Sequence, residues 1–258
     1  MIIDSHTHVG NKTTKDLISS MDEAGIDYSL LIADSAPLGD WMSTDEVIKI
    51  CEGNNRLKAI GCIEYKNIDS DQIEKLITYL QDRKIYGVKL YPGYEDFYPL
   101  DEKLLTFYEK CQEINKPLIF HTGLLQSGLP GRLKQSHPLN IDDLANKFPN
   151  LKIVMAHFGN PWIIDGTMVA RRNKNVYVDL SGYFGEGKFS KEHVDFFKQD
   201  LNYFRGFLDG FEKCLFASDW PQCSQREYVN AVNQLPLTDE EKNLVFWKNA
   251  KNIFQLDI

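Results

Sequence analysis

The stretch Met1-Ile2-Ile3-Asp4-Ser5-His6-Thr7-His8 is followed by a polar, helix-periodic segment from Thr13 to Ala24, a stop at Gly25, and Tyr28-Ser29-Leu30-Leu31-Ile32-Ala33. The two apolar runs have the length of strands, and the segment between them has the period of a helix. Gly25 just past the periodic segment is a helix stop signal. Strand, helix and strand in this order imply parallel pairing through a right-handed crossover.

The same unit recurs along the chain. Further strand candidates lie at Leu57–Ile63, Tyr86–Tyr91, Pro117–His121, Lys152–His157, Val176–Leu180 and Leu215–Ala217. Helices are predicted from Ser43-Thr44-Asp45-Glu46, where Ser43 and Glu46 fit a capping box, and from Asp69 to about Arg83. Others are predicted over Asp101–Asn115, Ile141–Phe148, Trp162–Arg172, Ser190–Leu208, 224–234 and 239–254. Eight strands, each followed by helical sequence, predict an α/β fold, a (β/α)8 TIM barrel in a single domain spanning 1–258. No Gly-x-Gly-x-x-Gly turn follows the first strand, which disfavours a nucleotide-binding open sheet. A loop with Pro37 and Gly39 leads to the Ser43 helix, while the long Thr122–Ser136 segment and a loop with Gly182, Gly185 and Gly187 follow the fifth and seventh strands. These last two therefore lie on the face of the barrel that carries specificity.

Composition narrows the partners. The chain has 258 residues, with 37 acidic against 29 basic side chains and a formal charge of −8. Such a surface repels phosphate, so nucleic acid is not an expected partner. No apolar run approaches the roughly 18 residues of a membrane span, and no basic-then-apolar leader opens the sequence. The five cysteines are odd in number and contain no Cys-x-x-Cys pair, so reduced thiols and a cytoplasmic location are expected. What remains is a small-molecule substrate, with a homo-oligomer compatible.

Of six histidines, His6, His8, His121 and His157 fall at or just past the C-terminal ends of predicted strands. A parallel barrel brings those ends to one mouth. His6 and His8 stand at i and i+2 on a strand, so both imidazoles share a face and can grip one cation. Asp219 follows the eighth strand, which in a closed barrel lies beside the first. Each of these residues alone fits a structural role, Asp219 that of a helix cap before Pro221. Together, gathered across one mouth, they point to a metal site. His137 and His193 lie in loop or helix starts and receive no role, and packing suffices for Tyr91 and Trp220.

This pattern resembles the amidohydrolase superfamily, most closely its amidohydrolase-related branch of small hydrolases and aminocarboxymuconate-semialdehyde-type decarboxylases. The resemblance rests on Ile3-Asp4-Ser5-His6-Thr7-His8, Phe216-Ala217-Ser218-Asp219-Trp220-Pro221 and the tail Lys248-Asn249-Ala250-Lys251-Asn252-Ile253-Phe254. It implies His6, His8 and His121 as metal ligands, Asp219 as ligand and catalytic base, and His157 as a catalytic residue that polarises substrate or shuttles a proton. The implied cofactor is one divalent ion, zinc first and manganese second. In two-metal relatives a fourth-strand lysine is carboxylated and bridges the metals. Lys89 in Val88-Lys89-Leu90-Tyr91-Pro92 resembles that site, with His121 and His157 on the second metal.

An ion that brings a water pKa to about 7 implies hydrolysis of an amide or ester, including a cyclic ester. The same residues fit a non-oxidative decarboxylase that holds a substrate carboxylate through Lys89, Arg132 or Arg171-Arg172. Metal-dependent deoxyribonucleases of the superfamily usually carry Glu where this chain has Lys89. A catalytically silent binding barrel predicts broken ligand positions, and none is broken.

Overall fold

The computed structural model describes residues 1–35, 42–183 and 190–258; Pro37, Gly39, Gly185 and Gly187 lie outside the described residues. The strands are β1 (Ile3–Thr7), β2 (Tyr28–Ile32), β3 (Leu57–Cys62), β4 (Val88–Leu90), β5 (Leu118–Phe120), β6 (Ile153–Met155), β7 (Val176–Asp179) and β8 (Cys214–Leu215). They form one parallel sheet in chain order. The sheet closes on itself through a Thr7–Trp220 bridge. Ser5 N donates to Phe216 O (3.0 Å), Asp219 N to His6 O (2.9 Å) and His8 N to Trp220 O (2.7 Å). The architecture is the predicted TIM barrel.

Local chemistry sets the helices α1 (Thr14–Ala24), α2 (Thr44–Glu52), α3 (Ser70–Gln81), α4 (Leu105–Glu113), α5 (Leu139–Lys147), α6 (Ile163–Arg172), α7 (Lys191–Leu208) and α8 (Gln225–Asn233). Thr13 with Asp16, and Ser43 with Glu46, close capping boxes that satisfy otherwise orphaned N–H groups. Gly25 ends α1 at φ 70°, a left-handed position that glycine adopts without steric cost. The helix expected over 239–254 is divided into α9 (Asp239–Asn243), a π-helical turn at Leu244–Lys248, and α10 (Asn249–Phe254). The Val245 carbonyl in that turn accepts from Phe216 N at 2.8 Å. This bond diverts the carbonyl from the helix, and it also ends β8 at Leu215, before the predicted Ala217.

Two apolar layers flank the sheet. Val88, Leu90, Leu118, Phe120, Ile153, Met155, Val176 and Val178 face outward and pack under the helices. Ile3, Leu30, Ile32, Ile60, Ile119, Val154 and Leu215 fill the barrel, joined by Ala250, Ile253, Phe254 and Leu256 of the chain's end. None of the five cysteines forms a disulfide, and among the described residues no helix is long and apolar enough to cross a membrane.

One irregularity orients the site. In β1, Ile3 and Asp4 pair with Tyr28 and Ser29, but Thr7 pairs with Leu31, so the register shifts between Asp4 and Thr7. Strand side chains alternate, and an extra residue reverses the alternation beyond it. Ile3 therefore points into the barrel, yet so do His6 and His8, which an unbroken strand would turn outward.

Candidate metal centre

Six side chains from five strands meet at the C-terminal mouth. His6 and His8 come from β1, Lys89 from β4, His121 from just past β5, His157 from past β6, and Asp219 from past β8. His6 Nε2 lies 3.2 Å from His8 Nε2, and the two stand 3.7 and 3.6 Å from Asp219 Oδ1. Ligands about 2.1 Å from an ion at tetrahedral angles are separated by about 3.4 Å, so the three atoms are spaced to share one cation. The ligand atoms of His6, His8 and Asp219 form one of two His/Asp groups able to hold an ion among the described residues.

The outer nitrogens of the pair are held by carboxylates that the sequence reading did not single out. His6 Nδ1 lies 2.9 Å from Asp179 Oδ2, and His8 Nδ1 is 3.1 Å from Asp34 Oδ1. Metal-bound imidazoles are commonly oriented in this way, with Nδ1–H donated outward and Nε2 left for the ion. Asp34 also accepts from the Tyr91 hydroxyl at 2.6 Å. Asp34 lies two residues past Ile32, and Asp179 two past Tyr177. Each repeats the apolar-x-polar step at a strand end that the histidines show.

The second group, His6, His157 and Asp179, is already a hydrogen-bond network. Asp179 accepts from His6 Nδ1, from the His157 and Ser181 backbone N–H groups (2.9 and 3.0 Å), and from the Ser181 hydroxyl. His121 lies outside both groups. Its Nε2 meets the Leu124 carbonyl at 3.2 Å, and its ring stands 4.9 Å from that of His157, edge to face. Nδ1 is therefore the nitrogen His121 has left for a metal.

Burial governs the protonation of the site. It pushes His121 down to about 3, with Lys89 adding to the effect. It also holds His6 and His157 well below the usual imidazole range. Burial acts in the same sense on His8, but Asp34 and Asp219 outweigh it and the net shift is upward. Burial raises Asp219 against the opposing charges of His8 and Lys89. It lowers Lys89 to about 8, a value that still leaves an ammonium at neutral pH. Lys89 is fully buried, with Nζ 3.3 Å from His6 Nε2 and 5.3 Å from the Tyr91 ring centre.

The arginines considered from sequence do not join the site. Arg132 is exposed and paired with Asp96 (3.5 Å), Arg172 pairs with Asp142 (3.3 Å), and Arg171 lies over the Phe207 ring. Among the described residues, Lys89 is the cation in contact with the site histidines.

A sequence model of the amidohydrolase family (Amidohydro_2) matches residues 3–256. The chain belongs to this family. No curated protein matches it significantly. Solved structures share the fold at low identity. An uncharacterised TIM-barrel protein from Bordetella bronchiseptica is 21% identical, with a TM-score of 0.80 and 98% of both chains covered. A probable 2-pyrone-4,6-dicarboxylic acid hydrolase from Acinetobacter baumannii, with citric acid bound, is 18% identical, with a TM-score of 0.73 and 99% of both covered. A dihydroxybenzoic acid decarboxylase from Polaromonas, with bound manganese and 2-nitroresorcinol, is 17% identical, with a TM-score of 0.74, covering 100% of this chain and 97% of that one.

Proposed function

We propose that this amidohydrolase is a metal-dependent hydrolase cleaving an amide or ester, cyclic esters included, in a small carboxylate-bearing molecule. The observation that carries the reading is Asp219. Its carboxylate stands against both β1 imidazoles, 4.0 Å from His157 Nδ1, and burial raises its affinity for a proton. A divalent ion, zinc or manganese, held by His6, His8, Asp219 and His121 Nδ1 would supply an acidified water and polarise the scissile carbonyl. Asp219 accepts the proton released on attack at a carboxylate oxygen and returns it to the leaving group. Lys89 holds the substrate's carboxylate or the negative charge that develops on the carbonyl oxygen. His157 takes up and passes on a proton at the barrel mouth. A single ion is preferred because the atoms of the second His/Asp group are already engaged with one another and with Ser181.

The runner-up is non-oxidative decarboxylation. The buried Lys89 cation favours it, since it could anchor an aromatic or unsaturated carboxylate. The bound ligands of the Acinetobacter hydrolase and the Polaromonas decarboxylase do not separate the two readings.

Elemental analysis of purified protein is expected to give about one zinc or manganese per chain, and none in a folded protein would remove the proposal. Turnover of lactones and amides is then compared with that of aromatic carboxylic acids. Release of CO2 without consumption of water overturns hydrolysis in favour of the second reading. Full metal content and activity in Lys89→Ala would remove the role of Lys89 and any carboxylated-lysine site with it.

A further inference from the structure

His157 holds an unusual backbone. It and Phe158 adopt φ 61° and 54°, followed by Gly159 at 70°. Consecutive non-glycine residues in the left-handed region are strained and persist only when their surroundings impose them. Here the surroundings are the end of β7. Asp179 Oδ1 accepts the His157 backbone N–H at 2.9 Å. Ser181 Oγ lies 3.0 Å from His157 Nδ1. Gly182, at φ 60°, lies against the Nδ1 side of the ring, and a Cβ at that position would fall 2.5 Å from His157 Nδ1. The backbone and the Nδ1 side of the ring are thus both held by the segment Asp179-Leu180-Ser181-Gly182.

Proton counting then assigns the ring. A serine hydroxyl has one proton to give. Ser181 Oγ gives it to Asp179 Oδ1, since a carboxylate can only accept. The same oxygen lies 3.0 Å from His157 Nδ1, and with its proton spent it can only accept there; it also lies 3.1 Å from His6 Nδ1, whose own hydrogen goes to Asp179 Oδ2 at 2.9 Å. Both Nδ1 atoms therefore carry hydrogen, and both Nε2 atoms carry lone pairs. For His6 that lone pair faces the metal centre. For His157, whose ring is 12% exposed against 1% for His6, it belongs to the ring that opens to the mouth.

We infer that Asp179, Ser181 and Gly182 are positioning residues that fix His157 as the Nδ1–H tautomer, so that its Nε2 meets substrate as a proton acceptor. This deepens the hydrolase reading, on which the catalytic use of His157 rests. The Asp179 carboxylate thereby sets the His6 tautomer directly and the His157 tautomer through the Ser181 hydroxyl.

The test is 15N NMR on histidine-labelled, zinc-loaded protein, with the His157 signals assigned from a His157→Asn variant. The expected result is a protonated Nδ1 and an unprotonated Nε2 for His157 in the wild type, and mixed tautomers in Ser181→Ala. In the same variant kcat should fall about tenfold or more while KM and zinc content stay within twofold, and Ser181→Thr, which keeps the hydroxyl, should restore the wild-type tautomer. A wild-type His157 protonated at Nε2 overturns the inference without recourse to any variant, as does an unchanged His157 spectrum in Ser181→Ala. Wild-type turnover in His157→Asn would instead end the catalytic reading of His157 and leave the tautomer result standing.

Discussion

The two mouths of this barrel are built from the same strands and do opposite work. At the N-terminal mouth, Phe254, Ile253 and Leu256 plug the opening against Ile3, Leu30, Ile60, Ile119 and Leu215. At the C-terminal mouth the inward positions become polar. Ile119 is followed two residues on by His121, Ile32 by Asp34, and Tyr177 by Asp179. Apolar burial stabilises one end, at about 25 cal/mol per Å2. At the other end, imidazoles and an ammonium are buried at an energetic cost. The lowered values of His6, His121, His157 and Lys89 report that cost. Apolar packing and buried polar groups are thus kept at separate ends of one cylinder, and a substitution should disturb one far more than the other.

The plug offers the largest effect. Phe254 is fully buried, and Phe254→Ala should cost about 3–5 kcal/mol of unfolding free energy by urea titration. Metal stoichiometry should stay unchanged at temperatures where the variant remains folded. Loss of metal from a folded Phe254→Ala protein would show that the two ends are coupled.

The loops of the polar mouth carry a similar cost that depends on pH. Glu95 is buried in the loop after β4 and accepts from Tyr65 N at 3.0 Å, and burial raises its carboxyl to about 7. An acid raised in the folded state binds protons that the unfolded state has released. Its favourable contribution is therefore complete below the ordinary glutamate value of 4.5 and is lost as pH rises through about 7. Relative to Glu95→Gln, the wild type should lose up to about 3 kcal/mol across that window. Parallel stability profiles for the two proteins from pH 4 to 8 would show that Glu95 binds its proton no more tightly in the folded chain than in the unfolded one.

Asp34 tests the outer carboxylates. Asp34→Asn keeps the size of the side chain but removes the charge beside His8 Nδ1. Metal affinity by competition titration should fall about 10–100-fold, the usual consequence of losing such a partner, with little change in unfolding free energy. Unaltered affinity would mean that His8 does not bind the ion through Nε2.

These residues also mark the limits of what the sequence could yield. The barrel was legible because strand and helix periods alternate without interruption, and because Gly25, Ser43 and Glu46 occupy cap positions that local chemistry requires. The histidines were legible because the type is scarce and four of six stand at strand ends. Asp34 and Asp179 stand at equivalent positions, but aspartate is common at strand ends as a cap or turn residue, so position alone did not separate them from that background. The direction of His6 and His8 was hidden for a different reason. Their i, i+2 spacing places them on one face, but which face depends on the register shift after Asp4, and pairing with β2 determines that shift. The break at Leu244–Lys248 was hidden in the same way, since it follows from Phe216 taking the Val245 carbonyl across 29 residues of chain.

The smallest effect returns to the N-terminal mouth, where one polar contact borders the plug. The Tyr86 hydroxyl donates to Asp257 Oδ1 at 2.6 Å, and Lys58 and Arg83 approach the same carboxylate at 3.5 and 4.0 Å. Tyr86 itself is buried beside Ile3 and Phe254, whereas the Asp257 side chain is about half exposed, so solvent screens the charge. Tyr86→Phe keeps the packing and should cost about 1 kcal/mol, the net worth of one hydrogen bond. Its hydroxyl lies at the opposite end of the barrel from Asp219, so metal content and turnover should match the wild type. A change in either would mean that the tail after α10 reports on the polar end, and that the division between the two mouths is incomplete.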